Sequence, residues 1–160
     1  MGYSAEEISE EAFVKATTSM ETLNKYAMDI IRKYPINSCT DVTGFGLAGH
    51  LHEMTNGRYS AEIHSKDLPY FEEAYQGAKE FILTAGGQRN RNYMEQKMDF
   101  QLDDFGIEEL LFDPQTSGGL LVSVPADQAD TLVQELQAAD IPAQDFGVVI
   151  EKQEKELIVY

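Results

Sequence analysis

A glycine-rich turn, GFGLAG at residues 44–49, constrains the fold more than any other feature of this sequence. The residues before it, 36–43, predict a strand, and apolar residues recur at three- and four-residue spacing in a helix after it, which Asn56-Gly57 closes. A chain that passes from strand to helix through so few residues needs glycine where its backbone turns tightly. The segment therefore predicts a strand–turn–helix unit.

The same glycines match a dinucleotide-binding pattern. Gly44, Gly46 and Gly49 fit G-x-G-x-x-G, and Glu62 stands where an acid could bind a ribose. Against this, the preceding strand is too polar for a central parallel strand buried on both faces, and Glu62 lies inside its strand rather than at its end. Glycines that serve only a tight turn also explain the pattern, so a dinucleotide-binding module stays an alternative.

One carboxylate, Asp41, lies near the end of the strand before the turn. The backbone amides and the dipole of the following helix N-terminus stabilise anionic groups at this place. Asp41 is therefore either a helix cap or a metal ligand. As a ligand it suits Mg²⁺, which proteins bind through one or two carboxylates, phosphate oxygens and waters. One aspartate does not build a metal site by itself, so both interpretations stay open.

The remaining pattern alternates helices and strands. It predicts helices at 4–18, 70–83 and 126–139, and a further helix that begins at a Thr18–Glu21 capping box and ends at Pro35. It predicts strands at 60–64, 120–124, 143–150 and 157–160. Gly86-Gly87 is expected to end the helix at 70–83, residues 88–101 to form an exposed loop, and residues 108–112 a short helical turn or strand. Strands joined partly in antiparallel fashion predict an α+β fold, a layered α/β sandwich with a mixed sheet and helices.

Length and charge bound the class of protein. The chain has 160 residues and a formal net charge of -16, from 28 acidic and 12 basic residues. That length fits one compact domain, and that charge repels polyanions, so nucleic acid is a poor partner. We expect residues 1–18 to be a linker and N-terminal helix and residues 19–160 a single domain. No stretch is apolar enough to predict a membrane span or a signal peptide.

The chain offers few side chains for catalysis. Its single cysteine, Cys39, excludes an internal disulfide and fits a reducing cytosol, and it is expected to be a small core residue rather than a nucleophile. His50 and His52 are two residues apart on a helix, face different directions and make no zinc pair, and with His64 they are expected to be ordinary solvated or core residues. Other polar residues, Thr116 and Ser117 with Gly118, could cap a helix or contact a substrate.

Three segments of the chain match motifs of a known family. TDVTGFGLAGHL at 40–51, TAGG at 84–87 with Arg89-Asn90, and FDPQTSGGLL at 112–121 follow each other in the family's order. The chain resembles the C-terminal domain of the selenophosphate synthetases, or selenide, water dikinases. This resemblance implies the fold of the aminoimidazole ribonucleotide synthetase superfamily, which also holds thiamine monophosphate kinase.

The resemblance also implies an activity and its requirements. The family makes selenophosphate, AMP and phosphate from ATP, selenide and water, with ATP in a cleft between two domains. Mg²⁺ is held there mainly by aspartates of an N-terminal domain expected to be absent from this chain, with Asp41 as the one ligand from this side. That domain also carries the nucleophile and the phosphate loop, so the resemblance implies no catalytic residue here and an inactive isolated domain.

The implied partners follow from the same resemblance. They are the chain's own N-terminal domain and, in the full-length enzyme, a second copy bound mainly through that domain. The resemblance also implies that the enzyme is cytoplasmic. A remaining alternative is an ATP-dependent synthetase or kinase of the same superfamily with another substrate.

Overall fold

The computed structural model describes residues 9–160, where helices and strands are interspersed along the chain. The helices are α1 (Glu10–Glu21), α2 (Asn24–Ile31), α3 (Gly46–Thr55), α4 (Glu72–Lys79), α5 (Ala85–Met94), α6 (Phe105–Phe112) and α7 (Ala126–Ala138). The strands are β1 (Ser38–Asp41), β2 (Tyr59–Ile63), β3 (Met98–Phe100), β4 (Leu120–Ser123), β5 (Gly147–Glu151) and β6 (Leu157–Val159). The predicted α+β class is confirmed.

The strands form two separate sheets. β1 and β4 pair in antiparallel fashion, with Asp41 opposite Leu120. The other sheet has the order β3-β6-β2-β5, in which β5 runs antiparallel to β2 while β6 is parallel to both of its neighbours. The larger sheet is therefore mixed, as the sequence predicted.

Each sheet has its own hydrophobic core. The larger core lies around the four-stranded sheet with α3 and α6, and Phe112 and Leu157 are fully buried in it. The smaller core joins α2, α7 and the two-stranded sheet through Ile31, Leu132 and Leu136. β4 serves both cores, because alternate side chains of a strand point to opposite faces.

The region at 84–97 differs from its prediction. Gly86-Gly87 does not end a helix but lies in the first turn of α5, which Thr84 begins by accepting a hydrogen bond of 3.0 Å from the backbone amide of Gly87. The predicted exposed loop at 88–101 is wrong as well, because residues 88–94 continue α5 and residues 98–100 form β3. Few apolar residues mark α5, whose buried residues are Gly87 and Met94.

The N-terminal helices also begin and end elsewhere than predicted. α1 runs on to Glu21 and α2 starts at Asn24, so Thr18 and Glu21 are not a capping box for α2. Thr18 instead lies in the last turn of α1, where its carbonyl oxygen accepts hydrogen bonds from Thr22. Residues 4–8 of the predicted first helix lie outside the described residues. Among residues 9–160, no helix has the length and apolar character needed to cross a membrane.

The topology contradicts the dinucleotide-binding alternative. Such a module requires the strands before and after the glycine-rich turn to lie parallel in one sheet, joined by the helix between them. Within residues 9–160, β1 belongs to the two-stranded sheet and pairs with the antiparallel β4 alone, whereas β2 belongs to the four-stranded sheet. Gly44, Gly46 and Gly49 therefore serve the turn and the packing of α3.

Candidate functional site

Segments from three parts of the chain meet at one end of β1. They are the turn at 41–46, the start of α5 at 84–90 and the loop at 113–119, and together they are called the three-loop site. The backbone amide of Val42 donates to the carbonyl oxygen of Gly119 at 2.9 Å, and that of Gln115 donates to the carbonyl oxygen of Thr43 at 3.0 Å. These bonds extend the β1–β4 pairing beyond Asp41 and fix the loop at 113–119 against the turn.

Asn90 connects the third segment to the other two. Its side-chain amide donates to the carbonyl oxygen of Gly44 at 3.0 Å and to that of Phe112 at 2.9 Å. The carbonyl of Phe112 belongs to the C-terminal end of α6, where helix carbonyls have no partner within the helix. One side chain on α5 therefore binds the glycine turn and the end of α6 together.

Gly46 permits α3 to approach the end of α6. Its φ of +67° lies in the left-handed region, and a β-carbon there would lie 2.8 Å from the carbonyl carbon and oxygen of Phe112. A side chain at this position would be strained by both the backbone conformation and the contact. Glycine is therefore required here for a close approach of two helix ends.

Asp113 and Thr84 form a half-buried pair beneath the loop. The hydroxyl of Thr84 donates to Oδ1 of Asp113 at 2.9 Å while it accepts the bond from Gly87. Burial raises the pKa of the Asp113 carboxyl, and the hydrogen bond from Thr84 opposes that rise. The pair joins the start of α5 to the start of the loop at 113–119.

Asp41 presents its carboxylate to solvent at the rim of the three-loop site. The residue is exposed, and within residues 9–160 its side chain takes part in no hydrogen bond or ion pair with another side chain. It therefore does not cap α3, whose N-cap residue is Phe45. An exposed, unpaired carboxylate suits a single Mg²⁺ ligand, and the described residues hold no group of three or more His, Cys, Asp or Glu that could bind a metal alone.

Thr116 and Ser117 belong to the loop at 113–119 of the same three-loop site. Both residues are exposed, and neither side chain caps a helix among the described residues. Ser117 has a φ of +52°, a conformation in which only a few per cent of non-glycine residues are found. Gly118 is held in place by Asn24, whose side-chain amide donates to the carbonyl oxygen of Gly118 at 2.9 Å. Neither hydroxyl therefore serves as a helix cap among residues 9–160, and contact with a substrate stays a prediction.

Cys39 lies two residues before Asp41 on β1 and is half-buried rather than fully buried. Burial raises the pKa of its thiol, and the negative charge of Asp41 raises it further. A reactive cysteine needs a lowered pKa, so this environment favours the neutral thiol.

His50 is a buried histidine that ties α3 to the turn. Its Nε2 accepts a hydrogen bond of 3.0 Å from the backbone amide of Thr43, and its Nδ1 lies 2.9 Å from Oε2 of Glu53. His52 instead contacts Glu156, so the two histidines have separate partners and make no zinc pair. The sequence predicted an ordinary solvated or core histidine here; the structure shows the buried one of these two and adds its partners.

Comparisons with known proteins identify the family of this chain. Residues 2–160 match the family described as AIR synthase related protein, C-terminal domain. The chain belongs to this family. Among curated relatives, a selenide, water dikinase of Desulfitobacterium hafniense is 46% identical over 92% of this chain, and one of Agathobacter rectalis is also 46% identical over 92% of it. Both alignments cover 44% of the relative, so the chain spans less than half of these proteins.

A solved structure supports the family fold independently of close sequence likeness. E. coli HypE, a hydrogenase maturation protein, superimposes with a TM-score of 0.55 at 17% identity, covering 87% of this chain and 36% of HypE. At that identity the likeness shows the fold alone. The three motif segments at 40–51, 84–90 and 112–121, far apart in the sequence, meet in this AIR synthase-type domain at the three-loop site.

Proposed function

We propose that this chain is the C-terminal domain of a selenide, water dikinase, which makes selenophosphate, AMP and phosphate from ATP, selenide and water. The proposal is supported by relatives of that name at 46% identity and by the convergence of all three motif segments on one rim. The observation that carries it is the carboxylate of Asp41, which is exposed, has no side-chain partner among residues 9–160 and precedes Val42, to which the loop at 113–119 is hydrogen-bonded.

In this proposal the domain forms one wall of a cleft that holds ATP. Asp41 is the Mg²⁺ ligand from this wall, and Mg²⁺ supplies neutralisation of phosphate charge. In this proposal the hydroxyls of Thr116 and Ser117 donate hydrogen bonds to phosphate oxygens, and the backbone bonds of Val42 to Gly119 and of Gln115 to Thr43 support it by holding their loop against the turn. Because one carboxylate does not hold Mg²⁺ strongly, an N-terminal domain supplies the remaining ligands.

In this proposal the isolated chain is inactive, because the catalytic groups belong to the N-terminal domain. The raised pKa of Cys39 keeps that thiol neutral, so it is not the nucleophile. The nucleophile and most metal ligands belong to the N-terminal domain, through which the full-length enzyme forms a homodimer. The enzyme is cytoplasmic in this proposal, which the single cysteine supports because it fits a reducing compartment.

A chimera tests the proposal directly. Residues 1–160 replace the corresponding part of the Desulfitobacterium hafniense enzyme, and release of AMP is measured with selenide, without it and over a range of Mg²⁺ concentrations. Asp41→Asn is expected to lower the rate on the order of 100-fold, equivalent to about 3 kcal/mol, because a neutral amide replaces an anionic ligand. Asp130→Asn, an exposed change on α7, is the matched control. An Asp41→Asn chimera as active as its control would refute the metal role, and AMP release independent of selenide would refute the substrate.

A further inference from the structure

The hydrogen bonds of His50 define which of its nitrogens carries a proton. The backbone amide of Thr43 donates to Nε2 at 3.0 Å, and the hydroxyl of Thr43 lies 3.2 Å from the same nitrogen. The amide can only donate, so Nε2 is unprotonated and acts as an acceptor. A neutral imidazole then carries its proton on Nδ1, which donates to Oε2 of Glu53 at 2.9 Å. The His50 residue is 5% exposed, so water does not compete freely for either nitrogen. His50 is therefore a neutral Nδ1–H imidazole with both nitrogens in use.

Thr43, whose backbone amide binds His50, makes several hydrogen bonds within the three-loop site. While the amide of Thr43 donates to His50, its carbonyl oxygen accepts from the amide of Gly46 at 3.1 Å and from that of Gln115 at 3.0 Å. Thr43 therefore links the buried face of α3, the first turn of α3 and the loop at 113–119. It also lies two residues after Asp41, so its orientation sets the path of the chain that carries the exposed carboxylate.

An apolar side chain at position 50 would fill the same space without this connection. The amide of Thr43 has no other acceptor among residues 9–160, and its burial without one would be unfavourable. Leu51, the next residue of α3, is buried without polar contacts, so the helix packs through apolar residues where no such bond is needed. The imidazole is therefore suited to holding a turn in place.

We infer that His50 is a positioning residue of the proposed magnesium–nucleotide site, acting through Thr43 to fix the direction in which Asp41 presents its carboxylate. The inference rests on the proposed role of Asp41. Removing a group that orients a metal ligand without contacting the metal typically lowers metal affinity 10–100-fold. His50 thus acts on Mg²⁺ affinity without contacting Mg²⁺.

Two amide substitutions separate the two hydrogen bonds of the ring. In His50→Gln the side-chain oxygen reaches the position of Nε2 and still accepts from Thr43. In His50→Asn the amide ends near the position of Nδ1, so it can bind Glu53 but not Thr43. The two variants are matched in polarity and in the loss of the ring, so the difference between them reports the acceptor at Nε2.

The first measurement uses the 160-residue chain and needs no activity. Nitrogen-15 NMR at pH 7.5 is expected to show His50 protonated on Nδ1 only, and the Thr43 amide to exchange with solvent at least about fivefold faster in His50→Asn than in His50→Gln. A ring protonated on Nε2, or equal Thr43 exchange in the two variants, would overturn the inference at its structural step.

The second measurement uses the chimera and compares the Mg²⁺ concentration that gives half the maximal rate. His50→Asn is expected to raise it about tenfold or more, and His50→Gln to restore it to within about threefold of the unsubstituted chimera. If Asp41→Asn changes the Mg²⁺ dependence and His50→Asn does not, the inference about His50 fails while the proposed function stands. If Asp41→Asn leaves the Mg²⁺ dependence unchanged, the proposed role of Asp41 fails, and the inference about His50, which rests on it, fails with it. Equal losses of thermal stability in both histidine variants with unchanged Mg²⁺ dependence would show a purely structural histidine.

Discussion

Gly118 packs so closely against Val42 that a β-carbon at position 118 would lie 2.1 Å from the carbonyl oxygen of Val42. The approach brings two backbones into contact where β1 ends, and the next residue, Gly119, accepts the amide of Val42 at 2.9 Å. The position of the loop at 113–119 relative to Asp41 thus depends on the absence of a side chain at one residue.

Gly118→Ala is expected to destabilise the chain by about 1–3 kcal/mol, because the contact is with backbone atoms that move only together with β1. Gly119→Ala is the control, since nothing lies within 4 Å of the β-carbon that it would add. Urea unfolding of the two variants measures the difference in the free energy of unfolding. Equal midpoints for Gly118→Ala and Gly119→Ala would contradict the close approach.

Asn90→Ala removes the donor that joins the glycine turn to the end of α6. Both carbonyl groups lose a partner, those of Gly44 and Phe112, and a cost of about 1–2 kcal/mol is expected because Asn90 is only half-buried. Thermal unfolding measures this loss. Asn92→Ala, on the exposed side of the same helix, should change the unfolding temperature little. A similar loss in both variants would point to helix propensity rather than to the bridge.

Asp113 gives the chain a pH dependence of defined sign. Burial raises the pKa of its carboxyl, so the folded chain holds this proton more strongly than the unfolded chain does. The contribution of Asp113 to stability is therefore greatest at low pH and falls as pH rises from the ordinary aspartate range through the raised value.

Asp113→Asn should remove this fall, because an uncharged amide still accepts the hydrogen bond from Thr84. Unfolding temperatures of the two proteins from pH 3 to pH 8 are expected to diverge with rising pH, with the variant the more stable at neutral pH. A difference that does not vary with pH would rule out burial of the charge as its cause.

Cys39 is a chemical reporter of the charge on Asp41. The carboxylate of Asp41 contributes to the raised pKa of the thiol, so Asp41→Asn should lower that pKa and accelerate alkylation by iodoacetamide at pH 8. Burial, the larger cause, remains, and the reaction should stay slower than with a free thiol. Asp29→Asn on α2 is the control, and an equal rate in all three proteins would show that the two groups do not interact.

The glycine-rich turn at 44–49 revealed more of the architecture than did the segment at 84–97, where Gly86-Gly87 was wrongly expected to end a helix. The strand–turn–helix unit at β1–α3 was predicted because its glycines and apolar spacing are local signals. α5 was missed because its stability comes from distant partners: Arg91 pairs with Glu108 and with the buried Glu109 on α6. The cap formed by Thr84 and the absence of proline or glycine over 88–97 were the available local signals.

The candidate site divides in the same way. Asp41 and the loop at 113–119 were predicted from position and motif, but their approach to each other depends on the register of β1 with β4, which no single segment specifies. The role of His50 was also beyond the sequence, because an acceptor seven residues from a turn becomes visible only when α3 folds back on it. Interactions between segments are what the sequence alone did not provide.

β4 separates two cores and belongs to both, with Leu121 packed into the larger one and Leu120 and Val122 into the smaller. Neither core keeps its packing if this strand leaves, so we expect the two layers to melt in a single cooperative transition rather than one after the other. The loop before β4 is the one that carries Thr116 and Ser117. The geometry of this loop therefore depends on the folding of the entire domain, and we expect partial unfolding to disrupt the three-loop site as well.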